Sequence, residues 1–148
     1  MTAAAQPSRW SAIGVTLWGG LAAFTAYFSM YAFRKPFTAG TYESVADWTA
    51  AIDFKVALII AQVAGYALSK IIGVKVVSEM PPARRGATIL LLIGFSWLAL
   101  VLFAVAPPPL KIAALFLNGL PLGMIWGLVF GYLEGRRTSE ILGAMLCA

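Results

Sequence analysis

The sequence predicts an all-α fold, a polytopic bundle of membrane-spanning helices. Three observations predict it. First, 61% of the 148 residues are hydrophobic and only 11% are charged, against about 45–50% apolar and about 25% charged in a soluble domain. A chain this short buries too little of its surface to hide that excess in a water-soluble core. Second, the apolar residues gather in long uncharged runs. Third, 13% of the residues are aromatic, which excludes a disordered chain, since such chains are poor in aromatics.

A span needs about 20 mostly apolar residues. The first runs from Trp10 to Phe33, with no charge between Arg9 and Arg34. It is longer than a signal-peptide core and no small-residue cleavage site follows it, so it reads as a retained helix. The second is built on the uncharged stretch Val56–Ser69. That stretch makes about 21 Å of helix against a hydrocarbon core of about 30 Å, so a flanking charge must reach membrane depth. Asp53 and Lys55 flank one end, Lys70 and Lys75 the other, and the helix is expected over Ala51–Val76. The third, Ala87–Ala106, ends at Pro107-Pro108-Pro109, because proline cannot continue a helix. The fourth runs from Ile112 to Leu133. After the polar segment Glu134–Glu140, Ile141–Ala148 begins a fifth apolar run too short to span. The chain is therefore expected to be the amino-terminal part of a longer protein, with the remaining helices as its partners.

Loop charges give an orientation. With the amino terminus inside, the inner segments hold seven basic residues (Arg9, Lys70, Lys75, Arg84, Arg85, Arg136 and Arg137). The outer ones hold four (Arg34, Lys35, Lys55 and Lys111). The excess of Lys and Arg favours a cytoplasmic amino terminus, and a bacterial inner membrane is expected. The net charge of +5 is that bias and does not signal a nucleic-acid partner. With no histidine and one cysteine, Cys147, there is no catalytic His, no internal disulfide and no metal cluster. No metal, no cofactor and no enzymatic chemistry are expected.

Two kinds of stripe mark the helix faces. The fourth span carries Gly119, Gly123, Gly127, Gly131 and Gly135 at every fourth position, and the second carries Ala57, Ala61, Gly65, Ser69 and Gly73. Small residues let helix backbones approach closely in lipid. The two stripes face each other or other helices. The second kind is polar: Gln62, Tyr66 and Lys70 on the second span, and Tyr27, Tyr31, Arg34 and Lys35 at the end of the first. Such spacings share one helix face. The third span has little beyond Ser96 and Trp97 and should face lipid. Asn118 and Pro121 interrupt the fourth.

Charge inside a membrane is costly and points to a site. Arg34 offers a planar fork that matches phosphate or carboxylate, and Lys35 adds a point charge. The nearest acid in sequence is Glu43. Two interpretations stay open: an anion site, or two cations marking the end of a span. Lys70 likewise either lines a site or snorkels to the surface. Glu79 is a candidate partner for Arg84 or Arg85, and Glu134 and Glu140 for Arg136 and Arg137.

The stretch Tyr31-Ala-Phe-Arg34-Lys35-Pro-Phe37 resembles the end of the first helix in the organophosphate:phosphate antiporters of the major facilitator superfamily. Gly65-Tyr66-Ala-Leu-Ser69-Lys70-Ile-Ile-Gly73 is similar to that family's second helix, and Gly123-Met-Ile-Trp126 to its fourth. The resemblance extends to uncharacterised bacterial proteins related to the superfamily. It implies that Arg34 grips a substrate phosphate, with Lys35, Lys70, Tyr31 and Tyr66 around it. It also implies alternating access between two six-helix lobes and a peripheral third helix. The loop Gly73-Val-Lys-Val-Val-Ser-Glu79-Met-Pro-Pro-Ala-Arg84-Arg85 has an acid and a basic pair, but not at the superfamily spacing. The expected function is secondary transport of a small anionic solute. The alternative is a transporter-like sensor or scaffold.

Overall fold

The computed structural model describes residues 9–42, 45, 48–134 and 139–147. Gly135, Arg136, Arg137 and Glu43, and the pairings expected of them, lie outside the described residues. In chain order come α1 (Arg9–Arg34), a short 3-10 turn (Pro36–Ala39), α2 (Phe54–Ser78), α3 (Pro82–Val105), α4 (Pro108–Leu133) and α5 (Ser139–Cys147). Helices α1 to α4 are long and apolar enough to cross a membrane. No strand occurs among the described residues. The chain is an all-α integral membrane protein.

Three helix starts differ from expectation, each for a local reason. Helix α2 begins at Phe54, not Ala51, because the Asp53 carboxylate accepts hydrogen bonds from the backbone N–H groups of Lys55 (2.8 Å) and Val56 (3.2 Å). That is an N-cap, and it takes up donors the first turn would otherwise leave bare. Helices α3 and α4 begin at Pro82 and Pro108, not at Ala87 and Ile112. Proline needs no hydrogen bond at the first helical position and its fixed φ suits a helix start. The prolines therefore open helices as well as closing them. Arg84, Arg85 and Lys111 consequently belong to first turns and not to loops.

Helix α4 is the hub, meeting each of the other four helices. Its closest neighbour is α2, and glycine is the reason. A Cβ at Gly65 would collide with the Phe116 carbonyl oxygen. One at Gly119 would collide with the Gln62 carbonyl oxygen, and one at Gly123 with the Ser69 hydroxyl. One at Gly73 would stand 2.9 Å from Met124 Cγ. At these points only glycine lets the backbones touch. Ala57, Ala61 and Ser69, all buried, complete the face of α2. The ladder on α4 is not one interface, however. At Gly127 a Cβ would have ordinary contact with Val77, and Gly131 faces Arg85 of α3 instead.

Helix α3 covers another side of α4. It buries Ser96 and Ala99, while Leu90, Leu91, Trp97, Leu98 and Val105 are exposed, a lipid-facing pattern. Helix α1 packs through Ala23 and Met30 onto Leu122, Ile125, Val129 and Leu133 of α4 and Leu142 of α5. Pro121 sits inside α4 without ending it.

The glycine contacts are testable by contrast. Gly119→Ala should lower the unfolding free energy in micelles by about 1–3 kcal/mol, the usual cost of overpacking. At Gly94 of α3 an added Cβ meets nothing within 4 Å. Gly94→Ala should therefore be neutral, or stabilise by up to ~1 kcal/mol through helix propensity. Denaturant titration of both variants distinguishes them.

Candidate functional site

The last turn of any helix leaves backbone carbonyls without intrahelical partners. In α1 that turn ends inside the bundle. Its carbonyls are taken up by two buried amides: Gln62 of α2 donates from Nε2 to the Arg34 carbonyl (3.1 Å), and Asn118 of α4 donates from Nδ2 to the Phe33 carbonyl (3.4 Å). The amides bind each other, Gln62 Nε2 to Asn118 Oδ1 at 2.8 Å. Asn118 also donates to the Ser96 hydroxyl (2.7 Å) and carbonyl (3.2 Å) on α3. Gln62 is 4% exposed, and Asn118 and Ser96 are fully buried. All four spanning helices thus meet at one polar knot.

The knot fixes the depth at which α1 stops. Gln62 lies eight residues into α2, so Arg34 ends about 12 Å below the start of α2. Tyr66 is the midpoint of α2, with Gln62 one turn to one side and Lys70 one turn to the other. A helix of that length spans about 37 Å, so Tyr66 lies about 18 Å from either end of it.

Four of the five expected site residues converge there. The Arg34 guanidinium carbon lies 5.0 Å from the Tyr66 ring centre and 5.5 Å from that of Tyr31. Its Nη1 approaches the Tyr31 hydroxyl at 3.5 Å. Lys70 Nζ lies 4.8 Å from the same Tyr66 ring. Tyr27 packs edge-on against Tyr31, with ring centres 5.7 Å apart. Among the described residues no carboxylate lies within ion-pair distance of Arg34 or Lys70. Aromatic faces attract cations, the more so where water is scarce. Lys35, the fifth residue, stands apart. It is exposed at the start of the 3-10 turn, where its carbonyl accepts from the Thr38 N–H and hydroxyl (2.9 and 2.6 Å).

From Lys70 a groove of about 710 Å³ runs between α2 and α4, past Gly73, Gly123 and Gly127 to Arg85 and Glu134. Stacked Trp126 and Phe130, 5.2 Å apart and nearly parallel, border it. At its far end Arg85 does not pair with Glu79 as expected. Its Nη1 donates instead to the Gly131 carbonyl in the last turn of α4. A cation there meets the negative end of the helix dipole as well as an orphan carbonyl.

Above the knot the chain folds back into the bundle. Phe37 is buried against Phe54, Leu58 and Leu115. Lys55, expected at the interface, donates to the carbonyls of Thr38 (3.1 Å) and Gly40 (3.2 Å), tying the 3-10 turn to α2. Tyr42 donates to the Phe37 carbonyl (2.9 Å), and burial raises its phenol above the ordinary value of 10.0.

Fold and site together define a helical membrane protein with two cations converging on one aromatic ring at mid-length of α2. The chain belongs to DUF5690, a family of unknown function whose model matches residues 36–148. Tyr66, Lys70, Gln62, Ser96 and Asn118 lie within that match, while Tyr31 and Arg34 precede it. No curated protein and no solved structure matches the chain.

Sequence reasoning placed Gln62 in a polar stripe and saw Asn118 only as an irregularity. The signal for their pairing was present, since each is the sole side-chain amide in its span. Asn118→Ala takes their partner from one Gln62 N–H, the Ser96 hydroxyl and the Phe33 carbonyl together, at about 1–3 kcal/mol for each buried group left unsatisfied. It should therefore destabilise the bundle well beyond Ser96→Ala, which removes one acceptor. Thermal unfolding in detergent should rank the two in that order.

Proposed function

We propose that this chain forms part of a secondary transporter that moves a small anionic solute, phosphorylated or carboxylated, by alternating access. The observation that carries the proposal is the convergence of Arg34 and Lys70, from different helices, on the one Tyr66 ring at mid-length of α2. A single charge at the bilayer centre costs about 2.5–3.5 kcal/mol even on insertion scales, so such residues are kept for function. Two cations with no carboxylate near them among the described residues make a positive field that an anion neutralises.

In this reading the Arg34 fork grips two oxygens of the anion. Lys70 supplies a point charge beside the same Tyr66 ring. The hydroxyls of Tyr31 and Tyr66 donate hydrogen bonds, and Lys35 adds positive potential at the mouth. The groove from Lys70 to Arg85 and Glu134 is the solute's path to one side of the membrane, which the balance of basic residues makes the cytoplasmic side. Its glycine floor lets neighbouring helices slide during the cycle. The arrangement is of the major facilitator kind, and the tyrosine, arginine and lysine spacings that resemble the organophosphate antiporters support it.

The test is counterflow in proteoliposomes holding the full-length protein, with inorganic phosphate and a dicarboxylate as alternative probes. Arg34→Ala should abolish exchange, by about 100-fold or more if a charge-assisted bidentate contact is lost, while the protein still inserts. Tyr66→Phe, which keeps the ring and removes one hydroxyl donor, should weaken exchange by only about tenfold, the scale of one hydrogen bond. Normal exchange by Arg34→Ala would sink the assignment. Saturable binding of either anion without exchange would replace it with a sensor that uses the same site.

A further inference from the structure

We infer that Gln62 is a positioning residue for Arg34: it holds the main chain of the anion-gripping arginine without touching the ligand. The functional consequence rests on the anion-site reading above, whereas the geometry does not. Gln62 Nε2 is 3.1 Å from the carbonyl oxygen of Arg34 itself. The guanidinium of that same arginine lies over Tyr66. Gln62 and Tyr66 are one turn apart on α2 and share a face. Helix α2 therefore holds Arg34 at two points, its backbone by an amide and its side chain by a ring.

The choice of residue follows from the demands of the position. The Arg34 carbonyl closes α1 and has no intrahelical donor. In a membrane interior no bulk water replaces one, so an uncapped end unwinds or shifts to find a partner. An arginine side chain has four rotatable bonds, and its placement over a ring is only as good as the placement of its Cα. Gln62 must donate both to the Arg34 carbonyl and to Asn118 Oδ1, 2.8 Å away. That requires two N–H groups on one neutral nitrogen, which a side-chain amide supplies. A lysine or arginine here would also donate, but it would add a third charge competing with Arg34 for the anion. Asn118 backs Gln62 and is itself locked to Ser96 by two hydrogen bonds. The rigidity of α3 and α4 is thereby passed through two amides to the one residue that ends α1.

The test reads Arg34 directly. In nanodiscs holding isotopically arginine-labelled full-length protein, the Arg34 side chain should show a ring-current-shifted resonance, identified as the one lost in Arg34→Lys and displaced in Tyr66→Leu. Gln62→Met keeps length and removes the donors. In that variant the resonance should move to the position of an unstacked arginine, and the affinity for inorganic phosphate should fall about tenfold, the scale of one hydrogen bond to a positioned group. Helical content and a cooperative thermal transition should be retained. If Gln62→Met fails to insert, Gln62→Leu is read in its place; it is smaller, uncharged and likewise without donors, and should give a displacement in the same direction. An unmoved Arg34 resonance in a folded variant overturns the inference. So does a displaced resonance with unchanged phosphate affinity. A wild-type protein that shows the shifted resonance but binds neither phosphate nor a dicarboxylate overturns the anion reading alone and leaves the positioning geometry standing.

Discussion

The structure depends on how the carbonyls at the end of α1 are satisfied inside the membrane. An unpaired carbonyl in hydrocarbon costs several kcal/mol, so a helix can stop inside the bundle only where other helices bring donors to it. Gln62 and Asn118 bring them from α2 and α4, and Ser96 anchors them to α3. Because α1 stops there, the residues after it turn back into the bundle. Phe37 fills the space above the knot between Phe54, Leu58 and Leu115, and Lys55 caps the carbonyls of Thr38 and Gly40. Because α1 stops there, Arg34 is also delivered to the middle of α2 and not to its rim.

The knot in turn depends on the glycines. Gln62 and Asn118 have short side chains, and they reach each other at 2.8 Å only because their backbones nearly touch. Gly119, next in sequence to Asn118, lies against the carbonyl of Gln62, and Gly65, one turn from Ala61, lies against that of Phe116. A larger residue at either place pushes α2 away from α4 and pulls the amides apart. Packing and polarity are thus one feature, with the small residues setting the distance that the amides use. Van der Waals contact and interhelical hydrogen bonds are the forces left for helix association when lipid removes the hydrophobic one.

Properties that follow from local composition and period were legible in the sequence. The four spans, the exposed character of α3 and the i, i+4 alignment of Tyr66 with Lys70 are of this kind. Properties set by a partner in space were not. Nothing local says that Gly131 turns toward Arg85 while Gly119 turns toward Gln62, since both belong to one ladder on one helix. That divergence comes from the long Arg85 side chain of α3 reaching the last turn of α4. Nor does hydropathy say that α1 ends about 12 Å below the start of α2, because an uncharged run has the same length wherever its last carbonyl is capped. Helix starts were misjudged where proline was treated only as a terminator, although Pro82 and Pro108 stand at first helical positions.

The two half-buried arginines differ in what their guanidinium groups are bound to. Arg85 gives its guanidinium to the Gly131 carbonyl at the end of α4, and its Nε is buried without a partner. One of its donors is committed to backbone and its Nε is shut off, so part of its work is to close a helix. At the end of α1 the same task, capping terminal carbonyls, falls to neutral amides. That substitution leaves the Arg34 guanidinium resting on aromatic faces, which attract its charge but accept few of its five N–H donors. A cation held by π-faces keeps most of its hydrogen-bonding capacity, whereas one held by carbonyls has used part of it. The division of labour between Gln62 and Arg34 is therefore what keeps the arginine available, and it explains why an apolar membrane interior retains an amide beside a cation where the cation alone could have capped the helix.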